Sequence, residues 1–151
     1  MTDFGPFIYM ARALVLARAA AMMGEVPVGA VVVRDGCVIG EGHNRPRTDT
    51  DPTAHAEIVA LRQAAQTSGS DRLDGCDLWV TLEPCAMCAG AIAHARIARL
   101  YFAAADAKGG AVDHGPRLFR QPTILHRPEC YDGIMADEAA TLLRDFFAAR
   151  R

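Results

Sequence analysis

The chain has 151 residues, of which 51% are hydrophobic and 23% charged, and its formal net charge is -2. This length predicts one globular domain, residues 1–151, and a chain of this size typically buries about 70% of the surface that it exposes when unfolded. The near-neutral charge does not by itself indicate nucleic-acid binding, because domains with that function often have a pI above about 9.

The composition also predicts where the protein works. No stretch approaches the ~20 apolar residues of a membrane span, and Arg12 and Arg18 interrupt the first apolar segment, which is unlike a secretory signal. The five cysteines, an odd number, do not indicate a disulfide framework. We therefore expect a soluble protein in a reducing cytoplasm, with no membrane partner.

The first third of the chain predicts a helix followed by a hairpin. Apolar residues recur at helical spacing from Phe7 to Met22, which is typical of an amphipathic helix. The β-branched run from Val28 to Val33 is followed by the turn-forming pair Asp35-Gly36 and by a second run from Cys37 to Gly42. Two apolar runs joined by such a turn predict a hairpin.

The rest of the chain predicts helices and strands that alternate around one sheet. Asn44 to Pro52 is a polar loop, and Thr53 is the predicted N-cap of a helix from Ala54 to about Gln66. This alternation predicts an α/β fold, a three-layer α/β/α sandwich with a central mixed five-stranded sheet. The further predicted elements are, in chain order, a buried strand (Asp77 to Leu82), a helix with Pro84 in its first turn (to about Ala95), a strand (Leu100 to Ala103), a glycine-rich loop (Ala107 to Pro116), a weak strand (Thr123 to Leu125) and a last helix (Met135 to Arg150).

Three potential metal ligands stand at the starts of two predicted helices. His55 begins one helix, and Cys85 and Cys88 begin another, where their i, i+3 spacing places both sulfurs on one face. The amides and the dipole of a helix N-terminus favour thiolates there. One imidazole and two thiolates leave an open fourth position on a tetrahedral zinc ion, which is typical of a catalytic site. The sequence thus predicts one catalytic zinc ion per chain.

Glu57 is the candidate catalytic residue beside this site. It follows His55 by two residues and need not touch the metal. Zinc acidifies a bound water to near neutral pH, and Glu57 is placed to carry protons from that water to a ring nitrogen and to the leaving amine. This combination is the signature of zinc-dependent base deaminases, which act on a nucleic acid only where the base is single-stranded or flipped out.

Other interpretations of the same residues remain open. Cys85 and Cys88 alone would fit a thioredoxin-like redox motif, which does not require an upstream histidine and glutamate. The joint presence of His55, Glu57 and both cysteines favours the catalytic interpretation. A structural zinc site would need a fourth ligand, for which the candidates are His94, His114 and Cys76.

Several stretches outside the ligand group also match a known family. They are Glu25 to Val31, Gly42 to Pro46, Thr53 to Glu57, Val80 to Ile92, Asp106 to Lys108 and Asp145 to Phe147. Through these stretches the chain resembles bacterial tRNA-specific adenosine deaminases over nearly its whole length. It departs from that family's usual pattern at Asp113-His114-Gly115-Pro116 and at Ile124 to Pro128.

The resemblance implies a cytidine deaminase-like fold and a defined reaction. The reaction is hydrolytic conversion of adenosine to inosine at the wobble position of a tRNA anticodon, chiefly in an arginine tRNA. The resemblance implies that His55, Cys85 and Cys88 hold the zinc ion and that Glu57 carries the protons. It further implies a homodimer whose RNA site draws on both subunits, with no DNA partner.

The same resemblance implies substrate-binding roles for four further residues. Asn44 would hydrogen-bond the flipped base, and Val28 would pack on it. Asp106 would contact the sugar of the neighbouring nucleotide, and the last helix would border the anticodon loop through Phe146 or Phe147. Taken alone, Val28 is typical of a strand core and Phe146 of a helix core.

Two other functions remain as alternatives. A deaminase of free bases or nucleosides, such as guanine or cytosine, would share the zinc and the glutamate but lack an RNA surface, and the net charge of -2 mildly favours it. A catalytically silent RNA-binding or partner subunit is the third possibility, against which the presence of Glu57 argues.

Overall fold

The computed structural model describes residues 7–150; residues 1–6 and 151, which the predicted domain 1–151 also includes, lie outside the described part. The helices of residues 7–150 are α1 (Phe7–Met22), α2 (Ala56–Ser68), α3 (Ala86–Ala95) and α4 (Ala136–Ala148), with a short 3-10 helix at Leu118–Arg120. The strands are β1 (Gly29–Arg34), β2 (Cys37–His43), β3 (Asp77–Leu82), β4 (Arg99–Ala104) and β5 (Glu129–Asp132).

The five strands form one mixed sheet in the order β2-β1-β3-β4-β5. Strand β1 runs antiparallel to both β2 and β3, whereas β3, β4 and β5 run parallel. Asp35 and Gly36 close the β1–β2 hairpin with the positive φ angles that such a tight turn needs, 51° and 78°. The predicted hairpin and the predicted mixed five-stranded sheet are confirmed.

Helices cover both faces of this sheet. Successive residues of a strand point to opposite sides, so one strand contributes to the core on each face. On β1, Ala30 and Val32 pack in a core with α2 and α3, whereas Val31 and Val33 pack in a second core with α1 and α4. The predicted three-layer α/β/α sandwich is therefore confirmed.

Helix α2 lies directly on the backbone of β2. A Cβ atom at Gly40 would stand 2.4 Å from the carbonyl oxygen of Ala60, and one at Gly42 would stand 2.6 Å from that of Ala56. Only glycine permits this approach, because no side chain fits between the two backbones. The sheet thereby fixes the first turn of α2, which follows His55 directly.

Two of the predicted helix starts are wrong. The N-cap of α2 is His55 rather than Thr53, whose backbone N and Oγ1 atoms instead donate to Asp51 Oδ1 at 2.9 and 2.7 Å. The N-cap of α3 is Cys85, so Pro84 precedes the cap rather than lying in the first turn. At both starts a candidate metal ligand holds the cap position, and neither cap side chain bonds its own helix.

The predicted weak strand from Thr123 to Leu125 is also wrong. The fifth strand is β5, which pairs in parallel with β4 and has all four residues exposed. No apolar alternation therefore marks it in the sequence. Within residues 7–150, no helix combines the length and the apolar character needed to cross a bilayer.

Candidate active site and metal centre

Two N-caps bring the candidate metal ligands together. His55 and Cys85 cap α2 and α3 in extended backbone conformations, and Cys88 lies in the first turn of α3. The Nδ1 atom of His55 is 3.6 Å from the Sγ atom of Cys85 and 3.5 Å from the Sγ atom of Cys88. The imidazole and both thiols thus meet where two helices begin.

This donor set fits a tetrahedral zinc ion. Zinc bonds of about 2.1 Å to nitrogen and about 2.3 Å to sulfur, at tetrahedral angles, separate those ligand atoms by about 3.6 Å. The two measured separations agree with that value. Within residues 7–150 the group comprises three side chains, with no fourth metal-ligating side chain among them. Three protein ligands are the pattern of a catalytic site.

The fourth ligands considered for a structural zinc site lie elsewhere. His114 Nδ1 hydrogen-bonds Glu83 Oε1 at 2.8 Å, and Cys76 Sγ lies 3.9 Å from the carbonyl oxygen of Asp74. His94 lines a separate groove between α2 and α3. None of these three belongs to the described ligand group.

The three candidate ligands shift one another's pKa values. Hydrogen bonding with Cys88, opposed by burial and aided by His55, lowers the pKa of Cys85 to about 4. The same pairing, together with burial, raises the pKa of Cys88. Hydrogen bonding to Cys85 raises the pKa of His55. A divalent cation would favour the deprotonated form of all three groups.

Glu57 lies beside the ligands in the first turn of α2, with 4% of its surface exposed. Burial raises the pKa of Glu57 to about 7; the charge of Cys85 adds to this rise, and that of His55 opposes it. A carboxyl group with such a pKa can both accept and release a proton near neutral pH.

A cavity of about 260 Å³ opens onto Glu57, His55 and Cys85. Cys88 is fully buried and does not line it. Val28, Asn44 and Asp106, three of the four predicted substrate-binding residues, do line it. Sequence analysis did not identify the remaining wall residues, which are Val26, Leu82, Glu83 and Gly109.

Asn44 is oriented by the helix that it faces. Its Oδ1 atom accepts a hydrogen bond from the backbone N–H of Ala56 at 2.9 Å, one of the amides that have no partner within the helix. The side-chain nitrogen of Asn44 is thus left to donate to a ligand.

The loop that follows Asn44 is held by Glu25, whose buried carboxylate accepts hydrogen bonds from Thr48 N and Oγ1, both at 2.7 Å.

Glu83 is a second buried carboxylate beside the ligands, and sequence analysis missed its role. Its fully buried side chain accepts five hydrogen bonds, all from residues 106–114. Burial opposes ionisation, but these hydrogen bonds outweigh it and hold the pKa of Glu83 below its usual value. No local pattern signals this role, because the donors lie 23 to 31 residues downstream.

Phe146 lies outside the cavity. It is 8% exposed, whereas Phe147 is 47% exposed and meets it edge-on at 5.4 Å between ring centroids. The guanidinium of Arg150 lies 3.5 Å from the centre of the Phe146 ring. Phe147 and Arg150 line a groove of about 800 Å³ along α4, together with Lys108, Leu143, Arg144 and Ala148.

The α/β/α fold, the His-Cys-Cys group and the adjoining buried glutamate define the class of the protein as a hydrolytic deaminase. The family profile of the MafB19-like deaminases matches residues 4–151. The chain belongs to that family.

Relatives of known name support the same class. The chain is 54% identical over 143 residues to a tRNA-specific adenosine deaminase of Agrobacterium fabrum, covering 95% of this chain and 94% of the relative. It is 48% identical to the tRNA-specific adenosine deaminase of Haemophilus influenzae, covering 94% and 83% of the two chains.

Solved structures show the same fold. A structure from a study of A-to-I editing by tRNA:A34 deaminases at the wobble position has a TM-score of 0.89 at 54% identity, covering 90% of this chain and 99% of the other. A guanine deaminase from Nitrosomonas europaea has a TM-score of 0.81 at 28% identity, covering 95% and 85%.

Proposed function

We propose that the protein is a tRNA-specific adenosine deaminase that converts adenosine to inosine at position 34, the wobble position of the anticodon, with an arginine tRNA as the expected substrate. The observation that carries the proposal is a single cavity lined by His55, Cys85 and Glu57 in a chain 54% identical to a deaminase of that name.

One zinc ion per chain would be held by His55, Cys85 and Cys88. When bound, zinc supplies Lewis acidity, which lowers the pKa of water towards neutrality.

Glu57 is the proposed proton carrier of the reaction. Its buried carboxylate accepts a proton from the attacking water and passes it to the ring nitrogen next to the reacting carbon. It then assists the departure of the amino group as ammonia, so that adenosine and water give inosine and ammonia. Burial raises the pKa of Glu57, which favours its uptake of a proton from the water.

Asn44 and Val28 are the proposed base-positioning residues. The side-chain nitrogen of Asn44 donates to the base, because its oxygen is already bonded to Ala56. Val28 offers an apolar wall on which a flat ring can pack. A cavity of about 260 Å³ admits one base rather than a stack, so the target adenosine has to be flipped into it.

The groove along α4 is the proposed path of the anticodon loop. Lys108, Arg144 and Arg150 line it and would neutralise phosphates, while exposed Phe147 can stack on a base. Phe146 contributes to this groove indirectly, because the Arg150 guanidinium packs on its ring. Asp106, which lines the cavity, contacts the sugar of the nucleotide beside the target.

We also infer a homodimer in the cytoplasm, built from one deaminase domain over residues 1–151. The match of the family profile to residues 4–151 supports the single domain. A groove between α2 and α3, where Ala65, Ala91 and Ala95 are half-buried, supports a partner subunit there. Sedimentation equilibrium of the zinc-loaded protein would return the mass of one chain if the dimer proposal were wrong.

The substrate is tested with an anticodon stem-loop that carries adenosine at position 34. We expect inosine at that position, and none in a control stem-loop whose loop adenosine lies one position further on. Free guanine, cytosine and adenosine serve as competing substrates, because the likeness to guanine deaminases favours that alternative. Consumption of a free base while the stem-loop stays intact would reject the tRNA proposal.

A further inference from the structure

We propose that His114 is a positioning residue whose hydrogen bond to Glu83 fixes the segment 106–114 and thereby sets Asp106 for the nucleotide beside the target. The inference rests on the proposed function, because it concerns an RNA contact of the same cavity. His114 lies where the chain departs from the usual family pattern.

The segment 106–114 is wrapped around one buried carboxylate. Oε1 of Glu83 accepts the backbone N–H of Asp106 at 3.0 Å and the ring Nδ1–H of His114 at 2.8 Å. Oε2 accepts the backbone N–H groups of Val112, Asp113 and His114 at 3.1, 3.0 and 3.2 Å.

The backbone of the segment also touches the carboxylate. A Cβ atom at Gly110 would stand 2.5 Å from Glu83 Cδ and Oε2 and 2.5 Å from the Asp106 carbonyl oxygen. There is no room for a side chain between Gly110 and Glu83. A change in how Glu83 is held therefore passes to the segment rather than being absorbed locally.

Asp106 and His114 share one oxygen atom, Oε1 of Glu83. The carboxylate of Asp106 in turn accepts the backbone N–H groups of Lys108 at 3.1 Å and Gly109 at 3.0 Å, so its direction at the cavity follows the start of the segment. His114 thus acts on Asp106 through Glu83 without lining the cavity itself.

Of the five hydrogen bonds that Glu83 accepts within residues 7–150, four come from backbone N–H groups and one comes from a side chain, the imidazole of His114. Its Nδ1 atom carries the hydrogen, because an ionised carboxylate only accepts. The side chain is 36% exposed, so it can be exchanged without opening the core.

Two substitutions separate the hydrogen bond from the ring. In His114→Asn, the shorter side chain keeps an N–H donor near the position of Nδ1. In His114→Phe, the ring volume stays and the donor is lost. A role in packing alone would spare the phenylalanine variant, whereas the proposed role would spare the asparagine variant.

The kinetic test uses the zinc-loaded protein and the anticodon stem-loop, well below the midpoint of thermal unfolding. We expect His114→Phe to raise KM on the order of fivefold, the equivalent of one net hydrogen bond, and to leave kcat within about twofold. His114→Asn should stay close to wild type. An unchanged KM in the phenylalanine variant, or the reverse order of the two variants, would overturn the proposal.

A double variant tests whether the effect passes through Asp106. His114→Phe should add little to KM in an Asp106→Ala background, because the group that it positions is already gone. Full additivity of the two changes would also overturn the proposal.

Amide hydrogen exchange keeps this test independent of the substrate. Exchange at Lys108 and Gly109, whose N–H groups bond Asp106, should be faster in His114→Phe than in wild type or His114→Asn. If wild type fails to deaminate the stem-loop, the proposed function fails, and equal exchange in all three proteins would refute the positioning role separately.

Discussion

Glu57 and Glu83 are both buried glutamates two residues from a candidate metal ligand, yet their pKa values move in opposite directions. Burial dominates at Glu57 and raises its pKa to about 7. Glu83 is buried as deeply, but five hydrogen bonds favour its ionised form. Burial alone therefore does not decide the charge of a carboxyl group; the donors around it do. One residue type thus supplies the proposed proton carrier and an anchor for a loop.

The largest expected effect is the loss of turnover in Glu57→Gln. The amide cannot take up and release the proton, so the rate on the stem-loop should fall by about 10³-fold or more. Zinc content should stay at about one ion per chain, because Glu57 is not among the three ligands. Glu129→Gln, at an exposed position of β5, is the matched control. Substantial deamination by the Glu57 variant would refute the proton-carrier role.

The second effect is on folding and separates the two glutamates directly. Glu83→Gln should lower the free energy of unfolding by about 3 kcal/mol, because in either orientation its NH2 group faces N–H donors. Glu57→Gln should change that free energy by less than about 1 kcal/mol, because the neutral amide avoids the cost of burying a charge. Urea unfolding of both zinc-loaded variants measures the difference. Equal losses of unfolding free energy in Glu57→Gln and Glu83→Gln would contradict the different roles of the two glutamates.

The smallest effect concerns Glu25, a buried carboxylate away from the ligands. Burial opposes its ionisation, but hydrogen bonds from Thr48 and Arg47 outweigh burial and lower its pKa. Its stabilising contribution is therefore fully present above the unfolded pKa of about 4.3 and is lost as pH falls through the lower folded value. Glu25→Gln should lower the free energy of unfolding by about 1–2 kcal/mol at pH 7. This difference in unfolding free energy between variant and wild type should narrow below a pH of about 4. A gap that widens on acidification would exclude this account.

The periodic parts of the fold could be predicted from the sequence. The predicted helix from Phe7 to Met22 and the predicted β1–β2 hairpin are confirmed, but the apolar face of the helix is not the expected one. Ile8, Val15 and Met22 are exposed, and the buried face includes Met10, Leu14 and Ala17 instead. Strand β5 could not be predicted, because its residues are all exposed and its pairing with β4 decides its conformation. Thr53 has the right chemistry for a cap, but its hydroxyl bonds Asp51 and His55 takes the cap position.

The candidate site also has one part that could be predicted from the sequence and one part that could not. The spacing of His55, Cys85 and Cys88 is local to two helix starts, so their convergence could be expected from the sequence. The role of Glu83 depends on amides brought to it by a distant segment, which no local pattern encodes. Helical spacing predicts that Phe146 is a core residue, and the structure confirms this, because Phe146 is buried and Phe147 is the exposed ring.

The contact of α2 with Gly40 and Gly42 limits how this scaffold can be altered. It sets the place of His55 by backbone against backbone, because α2 begins directly after that residue. A side chain at either glycine would push the start of α2, and the histidine with it, away from the sheet. Enzyme engineering on this scaffold therefore has to keep both glycines, whatever else is exchanged around the cavity.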